Sequence, residues 1–169
     1  MSKSGLMILI ILTIVVIACG TCPEERLAAN KKLIERFTEV TNAADWEALD
    51  DLLTEDFQRH CDATPGVQVR SREDFKRLQE TFYAIMPDQH IEGEMLIAEG
   101  DKVAAYATYS GTQTGPMGEF PATGKYAASK FLAIFRIENG RIAELWIEFD
   151  NLAILTQLGH WPPQPAPAE

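Results

Sequence analysis

Residues 131–150 read FLAIFRIENGRIAELWIEFD. At the centre stands Asn139-Gly140, the pair that a type I′ turn favours, because both of its central positions need φ > 0. Apolar residues run up to the turn and away from it, so residues 125–138 and 141–150 form an antiparallel hairpin. A regular two-residue turn sets Phe135 opposite Glu144, Ala133 opposite Trp146 and Phe131 opposite Glu148. Leu132, Ile134, Leu145, Ile147 and Phe149 then share the other face. Both faces are largely apolar: one meets helices and a pocket, and the other needs a cover, which a second copy of the chain supplies most simply. A bulge beyond the turn would exchange these assignments.

Outward from the hairpin the period stays at two back to Pro87. Ile91, Gly93, Met95 and Ile97 alternate with polar residues, Gly100-Asp101 turns the chain, residues 103–111 form the next strand, and a Gly-rich connection spans 111–124. Before Pro87 the period is helical. Leu27, Ile34, Phe37 and Val40 mark a helix over residues 23–40, which Pro23 opens and Glu24 and Glu25 favour through the dipole. Asp45 caps a second helix that reaches Leu53 with Trp46 and Leu49 on its face. Ser71 caps a third, with Phe75, Leu78, Phe82 and Ile85 as its apolar stripe. Between them residues 57–60 are a short extended piece and Pro65-Gly66 a loop. After the hairpin, residues 152–158 make a short helix that Gly159 ends. The pattern is that of one α+β domain, a cone-shaped curved antiparallel sheet packed against three N-terminal helices with a short C-terminal helix. The mouth of such a cone can hold a ligand.

The ends of the chain are of another kind. Lys3 precedes residues 6–18, which are apolar except Thr13, as in an export signal. Thirteen residues are few to cross ~30 Å of hydrocarbon. The stretch Val16-Ile17-Ala18-Cys19 resembles the bacterial lipobox, which implies cleavage before Cys19 and a lipid on its thiol. An ordinary cleaved signal and an uncleaved short anchor are the alternatives. The expected organisation is a signal over 1–18, a linker over 19–26, the domain over 27–159 and a disordered Pro-rich tail over 160–169. The protein would then sit at the bacterial envelope, held to the membrane by its lipid alone.

The 169 residues carry 15 Lys and Arg against 25 Asp and Glu, a net charge of −10. Nucleic acid is therefore not an expected partner, since that surface requires clustered cations. Three Cys make no disulfide scaffold, and no Cys/His spacing suggests a metal. Cys22 and Cys61 read as two separate thiols, although an oxidising compartment would let them pair.

Several stretches then fall together: Asp56-Phe57-Gln58-Arg59-His60, Ala98-Glu99-Gly100-Asp101-Lys102-Val103, Gly111-Thr112-Gln113-Thr114-Gly115, Pro121-Ala122-Thr123-Gly124-Lys125, the hairpin itself, and Gln157-Leu158-Gly159. In order and spacing they resemble the SnoaL-like polyketide cyclase family, within the nuclear-transport-factor-2-like superfamily. The resemblance implies an intramolecular aldol cyclase that uses an Asp as general acid/base and no cofactor or metal. It carries that Asp onto Asp150 and a pocket His onto His60. The chain has Gln113 where many members have His, and Tyr106 where many have Arg.

Read without the family, Asp150 ends an apolar strand, where desolvation would raise its pKa and suit it to shuttle a proton. It also directly precedes the terminal helix, where it would serve as an N-cap. His60 is either a polarising group or a half-buried strand-end side chain. Trp146, Tyr106, Phe57, Phe82 and Gln113 are the candidates for contact with a small apolar ligand, though aromatic residues of this kind are more often core. Three functions stand side by side: an acid/base cyclase, isomerase or hydrolase; a non-catalytic binder of an apolar molecule; and a homodimeric interaction module. Export argues against a cyclase of intracellular polyketides.

Overall fold

A computed structural model of the chain describes residues 22–162. The leader over 1–18, the lipidation candidate Cys19 and the tail from 163 onward lie outside the described residues. In chain order the elements are α1 (Pro23–Asn42), α2 (Leu49–Leu52), β1 (Leu53–His60), α3 (Arg72–Ile85), β2 (His90–Glu99), β3 (Lys102–Thr112), β4 (Tyr126–Glu138), β5 (Arg141–Phe149) and α4 (Asn151–Leu158). Residues 23–26 form the first turn of α1, as the helix read over 23–40 expects, although the domain division put them in the linker. Pro23 starts that helix, and the Cys22 backbone N–H donates to Glu25 Oε2.

The five strands form one curved, unclosed sheet in the order β1-β5-β4-β3-β2. The pairs β2–β3, β3–β4 and β4–β5 are antiparallel. The piece before α3 is longer than its sequence suggests. Leu53 is extended (φ −106°, ψ 150°), so it leaves the helix and opens an eight-residue edge strand parallel to β5. Asn139 and Gly140 have φ of 51° and 77°, the left-handed pair that the turn requires.

The register beyond that turn differs from the simple one. Ile137 pairs with Ile142 but Arg136 pairs with Glu144, so Ala143 is an extra residue. From there Phe135 lies opposite Leu145, Ile134 opposite Trp146 and Leu132 opposite Glu148. One slip exchanges every facing pair. Its physical reason is burial: the bulge puts Phe131, Ala133 and Phe135 on the same inner face as Leu145 and Ile147, all of them buried. A second irregularity between Gly93 and Met95 does the same in β2. Ile91 packs inside, whereas Met95 and Ile97 point outward instead of sharing its face.

Helices α1 and α3 cover the inner face through a chain of rings. Phe37 stands 5.8 Å from Phe75 and 5.6 Å from Phe135, and Phe57 stands 5.1 Å from Phe75. Ser71 Oγ accepts from the Asp74 N–H and fixes where α3 begins. The outer face carries Met95, Ile97, Leu132, Ile134 and Trp146, which are 36–62% exposed.

Candidate ligand cavity

The inward-facing positions of β3 and β4 include Ala105, Ala107, Ser129 and Ala133, all small. Small side chains under two helices leave space. The result is a cavity of about 1060 Å³ between the sheet, α1, α3 and α4. Phe75, Phe82, Phe131, Phe135, Leu145 and Ile147 contribute to its walls, and Ile154 and Leu155 close it from α4. That last wall is stitched to β4 by one side chain. Gln157 Oε1 accepts from the Ala128 N–H at 3.0 Å, and its Nε2 donates to the Ala128 carbonyl at 2.8 Å.

Polar groups also face this space. Tyr109 Oη donates to Gln89 Oε1 at 2.6 Å, and burial pushes the phenol well above its ordinary range. Gln79 and Arg59 are buried and line the cavity. Arg59 Nη1 donates to Thr64 Oγ1 at 3.0 Å. Sequence reasoning did not single out these four residues. The signal for two of them was phase: Arg59 lies two residues after the core residue Phe57, and Tyr109 continues the inward series Val103, Ala105, Ala107.

The residues singled out from sequence are dispersed. Phe82 lines the cavity. Phe57 is fully buried in the ring chain. Gln113 is fully buried outside the cavity wall and holds the connection after β3. It donates to the Pro121 carbonyl and accepts from Thr123 Oγ1, and its Oε1 lies 3.0 Å from His160 Nε2. His160, in the stretch expected to be a disordered tail, packs against Phe120 with ring centroids 4.7 Å apart. Tyr106 and Trp146 belong to the outer face, Tyr106 opposite Leu132 with Lys130 Nζ 5.6 Å from its ring.

His60 joins them there. Its ring stacks on Trp146 at 4.9 Å, and its Nε2 lies 3.0 Å from Glu144 Oε2. The Arg136 hydrogen bond, and then the bond from His60, hold the Glu144 carboxyl below the usual carboxylate range. Asp150 is exposed and caps α4, with Oδ1 accepting from the Ala153 N–H at 2.9 Å. The structure thus brings His60, Trp146 and Glu144 together on the outer face and leaves Asp150 apart from them. Cys22 and Cys61 are both free. Among the described residues no group of three or more His, Cys, Asp or Glu side chains stands close enough to hold a metal.

A family model described as SnoaL-like polyketide cyclase matches residues 31–158. No curated protein sequence matches. Among solved structures, TsrD from Streptomyces laurentii is 32% identical, with 78% of this chain and 96% of that chain covered and a TM-score of 0.70. IdmH from Streptomyces antibioticus is 28% identical, with 77% and 98% covered and a TM-score of 0.69. An LEH-like epoxide hydrolase of M. tuberculosis, 14% identical over 79% of this chain and 91% of that one, has a TM-score of 0.64 and shares the fold alone.

Proposed function

Because the chain belongs to the SnoaL-like polyketide cyclase family, we propose that its domain receives an apolar small molecule in the cavity between sheet and helices. In the same reading the protein is tethered to a bacterial envelope through lipid on Cys19. It pairs with a second copy across the outer face of the sheet. The cavity carries the reading. At about 1060 Å³ it reaches the upper end of small-molecule sites, roughly 300–1,000 Å³, and most of its wall residues are aliphatic or aromatic. The exposed band of Met95, Ile97, Leu132, Ile134 and Trp146 supports the dimer, because a contiguous apolar face of this kind associates. The charged Lys3 and the apolar run ending at Cys19 support the anchor.

Acid/base cyclisation or isomerisation is the second reading, and one observation favours it. Asp150 lies between Phe149 and Asn151, both of which line the cavity. A carboxylate released from its cap there would reach a carbonyl compound held at the mouth and move a proton at the adjacent carbon. His60 faces the other side of the sheet, with Glu144.

The experiment is native mass spectrometry of the protein from its own host, beside Ala107→Phe, which fills the cavity from its wall. The wild type carries a retained mass that the folded variant lacks. A wild type that carries no mass and takes up no apolar fluorophore overturns the binding proposal.

A further inference from the structure

Arg59 is unusual among the cations of this protein. It is 7% exposed, faces inward from β1 and lines the cavity. Nη1 donates to Thr64 Oγ1, but Nη2 is closed off from solvent and has no hydrogen-bond partner among the described residues. The ion pairs of the described residues engage Arg36, Arg72, Lys76, Arg77, Lys102, Lys130 and Arg136, and none includes Arg59. Burial works against its charge, whereas Cys61 and Glu148 favour it. A second polar atom in the same wall, Thr41 Oγ1, is also buried without a partner.

A buried guanidinium normally meets a carboxylate, because an unpaired charge away from water is costly. Among the described residues none stands within ion-pair distance of Arg59. The planar fork of donors fits the two oxygens of a carboxylate side by side, and the rest of the wall fits a hydrocarbon body. We infer that the ligand of this cavity is an apolar carboxylic acid whose carboxylate docks on Arg59. The inference rests on the small-molecule reading above and names its chemical class.

Titration calorimetry at neutral pH with decanoate and decanol separates the two claims. They share a chain length and differ in the charged head. The wild type binds decanoate at least tenfold more tightly than decanol, since a hydrogen bond to a charged group exceeds a neutral one. Arg59→Gln brings the two within about threefold by weakening decanoate alone. Equal binding of both by the wild type overturns the acid and leaves the cavity reading standing. Binding of neither overturns the cavity reading itself. A preference for decanoate that survives in Arg59→Gln also overturns the inference, because the carboxylate is then recognised elsewhere. Should Arg59→Gln not fold, the wild-type comparison decides alone, and Arg59→Lys keeps the charge while removing the fork.

Discussion

Asp150 accepts from the Ala153 backbone N–H, and that bond determines what its substitutions do. Asparagine keeps the accepting oxygen; alanine removes it. Asp150→Ala therefore costs about 1 kcal/mol, and Asp150→Asn close to nothing. For a domain of this size the alanine variant melts roughly 2–4 °C lower, a shift that thermal unfolding resolves. The same pair tests the chemistry. If the carboxylate shuttles a proton, Asp150→Asn retains wild-type melting and loses turnover. Turnover unchanged in that variant removes Asp150 from any mechanism. At this scale the sequence was informative about caps. Ser71 accepts from the Asp74 backbone N–H and caps α3, as its position before an apolar periodic run suggests, whereas Asp45 accepts from the Ala48 N–H in a turn that precedes α2, whose own N-cap is Ala48. It said little about Arg59, because a lone arginine beside a histidine reads as surface unless the phase set by Phe57 is followed.

The β4–β5 hairpin is the element whose existence was plainest and whose facing was hidden. Asn139-Gly140 specifies the turn by itself. Ile142 and Ala143 are both apolar and both buried, so alternation carries no mark of which one is extra. Burying Phe131, Phe135 and Leu145 on one side settles the matter through packing against α1 and α3, which lie far away in sequence. The cost of the slip falls on the outer face, where Leu132 and Ile134 stand exposed. On either side of that band the charges are already paired, Arg136 with Glu138 and Glu144, and Lys130 with Glu94. The centre of the face is thus apolar and its borders are satisfied. The proposed pairing predicts that in sedimentation velocity the domain without its leader runs as a dimer, and that Leu132→Glu with Ile134→Lys shifts it to monomer without loss of secondary structure. A wild type that sediments as a monomer at high micromolar concentration sinks the proposed pairing.

For the molecule as a whole, an α+β fold with a curved sheet and its order of elements were readable from period and turn residues. The cavity was not, because it consists of absence. Ala105, Ala107 and Ser129 read as ordinary strand residues, and only the spacing of α1 and α3 above them turns small side chains into volume. The proposed anchor is tested at this scale as well. Cys19→Ser, expressed with its leader, moves the protein from the membrane fraction to the soluble fraction. Labelled fatty acid that fails to appear on the wild-type chain ends the lipid proposal.

The walls of the hollow are not equally firm. Three sides belong to a hydrogen-bonded sheet and to helices locked by interleaved rings, whereas the side bearing Ile154 and Leu155 hangs on the paired amide contacts of Gln157, on Asn151 Nδ2 donating to the Ala63 carbonyl, and on buried Leu158. A bulky guest is therefore expected to enter beneath the terminal helix, where a few side-chain contacts must yield, while the strands stay zipped.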